Sequence, residues 1–247
     1  HPEASAREIE RYAGEEGVVA VYLPCAGVDP LWGDRIYDPI YEAAQSANLP
    51  VMLHAVNAVA PVYPFQLHRM PSVFAQHAVS HNFSMMANMV HMIATGVPER
   101  FPRLKVCFTE AGVSWVPHMK MRLDKEYLER RREVPILKKR PSHYIRQWYV
   151  ATQPIEEPEN PQDLVHLIDM IGDDVILFAS DWPHHDFDHP KKVFDLPLSP
   201  EAKRRIMGLN ALEFFRLQVP ARLQHKLPAA AGVPSAAERN GREASHG

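Results

Sequence analysis

Along the chain, apolar runs rich in β-branched residues alternate with stretches whose apolar positions recur at helical spacing. Pro2 to Tyr12 places Ile9 and Tyr12 on one side of charged neighbours, with Gly14 as a stop, which predicts a short amphipathic helix. GVVAVYLP at 17–24 is continuously apolar and ends at Pro24, the pattern of a strand buried on both faces. A helix over 38–48 opens with Asp38 and Pro39 and leads into the next strand, LPVMLHA at 49–55. Residues 60–97 read as an insertion with two helical stretches, one opening at Pro71-Ser72 and one at Ser84, closed by Gly96. Insertions of that size cover a site or form an interface.

Further along, strands are predicted at 104–112, 145–154 and 174–183, helices at 117–133 and 161–172, and two closing helices over 199–217. Five strands alternating with helices imply a parallel sheet covered by helices, either an open doubly wound sheet or a barrel. No G-x-G-x-x-G follows a strand, which favours the barrel over a dinucleotide-binding fold. These elements read as one domain over 1–219. From 220 to 247 the composition turns to Pro, Ala, Gly and Ser with scattered charge, and a disordered tail is expected.

Composition narrows the function classes. The 247 residues are 46% hydrophobic and 23% charged, which suits a packed globular domain. Lys and Arg total 27 against 30 Asp and Glu, so there is no basic excess with which to grip a nucleic-acid backbone. Cys25 and Cys107 are the only thiols, too few for a disulfide framework, and no apolar run reaches the length of a membrane span. The expectation is a soluble cytoplasmic protein without nucleic-acid or membrane partners. Residue 1 is His, and the chain reads as part of a longer one.

Candidate chemistry sits at strand ends. His54, Glu110 and Asp181 close the second, third and fifth strands, and parallel strands bring their C-terminal ends to one face, where barrels keep active sites. Alternation groups Val106, Phe108 and Glu110 on one face, Leu177, Ala179 and Asp181 on one, and Met52 with His54 on one. Imidazole and carboxylate suit a divalent metal, so His54 and Asp181 are the expected ligands. Each has a plainer role: His54 as a core histidine, Asp181 as the cap of the SDWP turn. Glu110, among small neighbours, is the expected acid/base, with an arginine-paired structural role as its alternative. His77 and His81, one helical turn apart, have the spacing of a two-histidine metal face but lack the Glu of H-E-x-x-H. Both, with Trp182, are expected to line the substrate pocket. His184, three residues past Asp181, is the second expected catalytic residue, while His185 and His189 read as a solvated loop. The basic runs at 130–132 and 138–140 are offset by Asp124, Glu126, Glu129 and Glu133 and read as a solvated helix face.

GVVAVYLP, DRIYDPIYEAAQSANLPVMLHA, ERFPRLKVCFTEAGVSWVPHMKMRLD, VILFASDWPH and IMGLNALEFFRL together resemble the amidohydrolase-related metal enzymes, in the branch of aminocarboxymuconate-semialdehyde decarboxylase. The resemblance spans about residues 2 to 217. It implies a (β/α)8 TIM barrel with a divalent metal, Zn²⁺ or alternatively Mn²⁺, held by an H-x-H pair on strand 1, a His on strand 5 and an Asp on strand 8. His54 matches the strand-5 ligand and Asp181 the strand-8 ligand. No H-x-H occurs here, so the chain corresponds to strands 4–8, with strands 1–3 missing. Where that branch carries a His in a segment like GHGG, this sequence has Glu110 in TEAG.

The expected activity is a metal-dependent carboxy-lyase on a small unsaturated or aromatic carboxylic acid, with a homodimer as its assembly. A metal-dependent hydrolase is the alternative. As an isolated partial barrel, the chain is expected to bind metal weakly and to be inactive.

Overall fold

The computed structural model describes residues 1–56, 69–219 and 221–226. The chain divides into a unit from His1 to Arg216 and a second from Leu217 to Gly247. In the first, β1 (Val21–Pro24), β2 (Val51–His54), β3 (Val106–Thr109), β4 (Tyr149–Ala151) and β5 (Ile176–Leu177) form one parallel sheet in sequential order. The sheet is open, with β1 and β5 at its edges. In the second unit, Ala221–Lys226 form a short 3-10 stretch, and most of the expected tail lies outside the described residues.

Sequential order follows from the connections, because a helix between parallel neighbours returns the chain to the start of the next strand. Helix α1 (Pro2–Tyr12) packs on α2 (Asp38–Ser46), which joins β1 to β2. Between β2 and β3 lie α3 (Val73–Ala94) and the short α4 (Val97–Arg100). Helix α5 (Trp115–Arg130) and α6 (Pro141–Ile145) connect β3 to β4, and α7 (Pro161–Ile171) connects β4 to β5. After β5 come α8 (Lys191–Phe194), α9 (Pro200–Arg204), a π turn over Arg205–Leu209 and α10 (Asn210–Phe215).

The core lies between sheet and helices. Val51 and Leu53 of β2 and Val106 and Phe108 of β3 are essentially fully buried, against Ile40, Tyr41 and Ala44 of α2 and Met85, Met89 and Met92 of α3. Phe108 meets Trp115 edge to face and packs at a tilt against Trp148.

Several expectations are corrected. The two helices of the insertion are one 22-residue helix, α3. Ser72 does cap its start by accepting from the Ala75 amide, whereas the Ser84 hydroxyl donates to the Ser80 carbonyl one turn back, which leaves the helix unbroken. Residues 60–68 of that insertion lie outside the described residues. The first strand is not buried on both faces: as the edge strand, β1 buries Leu23 and leaves Tyr22 exposed. On α1, Ala6 and Ile9 pack inward while Tyr12 is exposed. Residues 141–145 are helical, because Pro141 starts a turn whose first free amide, at Ser142, is capped by Asp124, so the fourth strand begins only at Tyr149. The two closing helices, α9 and α10, are present and are joined without a break through a π turn.

Candidate metal centre at the strand ends

Register aligns the C-terminal ends. His54 stands beside Thr109 and Pro24, so these three residues point to the same face. On alternation alone, Glu110 belongs to the opposite face with Phe108. The strand stops at Thr109, however, and Glu110 adopts a left-handed backbone with φ of 67°, which turns its side chain back towards His54. Asp181 does the same beyond β5, with φ of 57°. Such conformations cost free energy in residues with a Cβ and persist where the surroundings enforce them.

The enforcing contacts are visible. Gly112, also left-handed at φ of 65°, lies where an added Cβ would come within 2.6 Å of the Glu156 carboxylate. That carboxylate accepts from the Val113 and Ser114 amides at the start of α5, 2.8 Å in the latter case, and so pins the TEAG turn. On the other side, buried Asp188 accepts from the Ile155 amide at 2.6 Å and pairs with Lys192 at 2.8 Å, while its own amide donates to Ser180. This ties the loop carrying Asp181 to the end of β4.

Within this frame, His54 Nδ1 lies 2.7 Å from the Ala55 carbonyl and 3.0 Å from Glu110 Oε2. Both partners offer acceptor oxygens, so the tautomer of the neutral ring that this geometry favours carries its proton on Nδ1 and its lone pair on Nε2. One ligand atom each from Glu110, Asp181 and His184 lies within 4.8 Å of the others, and His184 Nδ1 is 3.0 Å from Asp181 Oδ2. Burial pushes the Glu110 carboxyl above the usual carboxylate range; His54 opposes this, and the charges of Asp181 and Asp186 reinforce it.

The histidines of α3 approach from above. His81 is buried, and burial together with neighbouring His77 lowers its pKa to about 4, so it is neutral at neutral pH. The His77 and His81 rings meet edge to face at 4.7 Å. His77 Nε2 lies 3.7 Å from Asp186 Oδ2. Trp182 is largely exposed and rests its ring on Phe187. His185 is exposed.

Two residues at the centre escaped sequence reasoning. Gln153, buried beyond β4, donates from Nε2 to Asp181 Oδ2 at 3.3 Å and to Asp186 Oδ2 at 3.2 Å. The strand-end logic that picks out Glu110 and Asp181 applies equally to β4 and would have found it. Asp186 was lost in a loop crowded with histidines.

Among the described residues no helix is long and apolar enough to cross a membrane. Over 230 residues the chain is 27% identical to gamma-resorcylate decarboxylase of Polaromonas sp. strain JS666, covering 87% of this chain and 67% of that one. Over 219 residues it is 24% identical to 2-amino-3-carboxymuconate-6-semialdehyde decarboxylase of Dictyostelium discoideum, covering 87% and 58%. The fold is similar to that of 5-carboxyvanillate decarboxylase from Sphingomonas paucimobilis, with TM-score 0.71, 23% identity and coverage of 88% and 64%. It is also similar to a dihydroxybenzoic acid decarboxylase from Polaromonas sp. JS666 with bound manganese and the inhibitor 2-nitroresorcinol, with TM-score 0.69, 22% identity and coverage of 90% and 68%. The chain spans 58% to 68% of the length of these relatives. Residues 1–217 match the Amidohydrolase family, and with the parallel sheet and its strand-end carboxylates this chain belongs to that family.

Proposed function

We propose that the protein carrying this chain is a metal-dependent carboxy-lyase that removes CO₂ from a small aromatic or unsaturated carboxylic acid. The observation that carries the reading is the convergence of Glu110, Asp181 and His184 at the strand ends, with both carboxylates held in left-handed backbone. The relatives' names, decarboxylases of aromatic acids, supply the substrate class.

The donor set fits a divalent ion. His54 has the arrangement of a ligating imidazole, with Nδ1 turned to a carbonyl and a carboxylate and Nε2 left for an ion. His54 Nε2 and Asp181 would hold the ion, Zn²⁺ by the chemistry of the donors or Mn²⁺ as in the Polaromonas structure. When bound, such an ion orients substrate oxygens and stabilises developing negative charge.

The remaining work falls to side chains of this chain. Glu110, held protonated more readily than an ordinary carboxyl, delivers its carboxyl proton to the carbon that loses its carboxylate. The C–C bond breaks, CO₂ leaves, and a C–H bond takes its place. His184, fixed by Asp181, contacts the substrate, and His77, His81 and Trp182 bound the pocket. Residues 1–219 supply the strand 4–8 part of the active barrel, with α3 covering the site, and upstream strands complete it. The enzyme works in the cytosol as a homodimer without nucleic-acid partners.

The test uses the protein extended upstream through the expected H-x-H strand, loaded with Zn²⁺ or Mn²⁺ and given a panel of hydroxybenzoates and unsaturated acids. CO₂ release is expected, and Glu110→Gln is expected to lower turnover about 10²- to 10⁴-fold with the metal retained. Net addition of water to the substrate would assign hydrolysis instead, and full activity in Glu110→Gln would remove Glu110 as the proton carrier.

A further inference from the structure

Next to the strand-end centre lies a second group of donors that the proposed chemistry does not use as ligands. One ligand atom each from His77, His185 and Asp186 lies within 4.8 Å of the others. Asp186 stands between the two imidazoles, with Oδ2 at 3.7 Å from His77 Nε2 and Oδ1 at 3.7 Å from His185 Nδ1. Neither separation is a hydrogen bond. Both are close to the spacing of roughly 3.3 Å that two ligand atoms take around a tetrahedral ion with bonds of about 2.0–2.1 Å. The His77 and His185 rings are 5.7 Å apart, and the buried His81 ring backs His77 at 4.7 Å, which fixes the orientation of the inner ligand.

Charge points the same way. Glu110, Asp181 and Asp186 crowd together, yet among the described residues their ion-pair partners are all imidazoles: His54, His184, and His77 with His185. The other donor shared by Asp181 and Asp186 is the neutral amide of Gln153. Among the described residues no lysine or arginine pairs with the group, while neutral imidazoles are themselves metal ligands.

We propose that His77, His185 and Asp186 form a second divalent-cation site, selective for ions of the zinc class that take nitrogen and oxygen donors. The site joins the far end of the β5 loop to α3. It leaves a coordination position open towards solvent beside exposed His185, where water or a ligand carboxylate completes the shell. The site stands whether or not the chain is a decarboxylase, since none of its three donors is an expected ligand of the first ion.

Titration with Co²⁺ followed by visible absorption, and with Zn²⁺ against a chromophoric chelator, tests this in the Asp181→Asn protein, where the first cluster is disabled. One equivalent with the intense visible bands of four-coordinate Co²⁺ is expected. Adding His185→Ala, an exposed change that leaves packing untouched, or Asp186→Asn is expected to weaken that binding at least tenfold, with the far-ultraviolet circular dichroism unchanged. Absence of Co²⁺ and Zn²⁺ binding in Asp181→Asn would overturn the site, as would undiminished binding after either second substitution.

Discussion

The carboxylates at the strand ends and those elsewhere in the molecule keep different company. Glu110, Asp181 and Asp186 face His54, His184, His77 and His185. Asp38, Glu99 and Asp174 instead face Arg100, Lys138 and Arg146. A guanidinium or ammonium neutralises its partner permanently and locks two elements together. A neutral imidazole leaves the carboxylate its charge and can join it on a cation. Arg100 shows the first use: it binds Asp38 Oδ1 at 2.8 Å and also donates to the carbonyls of Thr95 and Gly33, fastening the end of α3 to the start of α2. The strand-end group, whose ion pairs among the described residues are with imidazoles alone, leaves burial and the charges of Asp181 and Asp186 to raise the Glu110 carboxyl, and on the proposal above it is built for the second. One set of ion pairs holds the fold, and the other is held by the fold.

Substitutions that separate stability from metal affinity would sharpen or break this contrast. The largest effect is expected for Arg100→Met, which takes the guanidinium away from Asp38 and the Thr95 carbonyl. It should destabilise the protein by about 3 kcal/mol in urea unfolding and leave Zn²⁺ affinity unchanged. A comparable loss of metal binding in Arg100→Met would erase the distinction between the two groups.

Gln153→Leu should behave in the opposite way. Losing the amide that orients Asp181 and Asp186 should weaken Zn²⁺ or Mn²⁺ binding about 10- to 100-fold, read by calorimetry, for a stability loss of only about 1 kcal/mol. Equal affinity in parent and variant would show that Asp181 is positioned without it.

The smallest effect concerns Glu99. Burial alone would raise its carboxyl, but hydrogen bonds from Lys138 and Tyr144 outweigh this and hold it below its ordinary value of 4.5. Its contribution is therefore present above that value and lost as pH falls through the lower folded value, because the unfolded chain then takes up the proton first. Urea midpoints measured from about pH 6 down to about pH 3 should fall less steeply in Glu99→Gln, by under about 1 kcal/mol, given how exposed Lys138 is. Identical slopes would assign the acid sensitivity to other carboxylates.

Strand positions and the convergence of strand ends were legible because burial imposes apolar runs and parallel pairing aligns their ends. His54 follows directly, paired in register with Thr109. Glu110 was found for an incomplete reason. Alternation puts it with Phe108, and only the left-handed turn at the end of β3 brings it to His54, a conformation that the neighbouring Gly112 hints at but does not specify. The single helix α3 was illegible at Ser84, since the same hydroxyl can cap a new helix or bond back within an existing one. The exposure of Tyr22 depends on which strand lies at the sheet edge, which is a property of topology and is absent from the local pattern. Gln153 stands at a strand end like Glu110 and Asp181, but a neutral amide suggests no acid, base or ligand, and the part of Asp186 shows only in its distances to Gln153 and His77.

The central claim is that the imidazole-paired carboxylates exist to take cations. Anomalous-difference density from crystals grown with Mn²⁺ or Zn²⁺, collected on either side of the metal's absorption edge, tests it most directly. The account predicts one peak bounded by His54 Nε2 and Asp181, and a second bounded by His77, His185 and Asp186. Peaks confined to surface carboxylates such as Glu129 and Glu133, with none at Asp181, would contradict it.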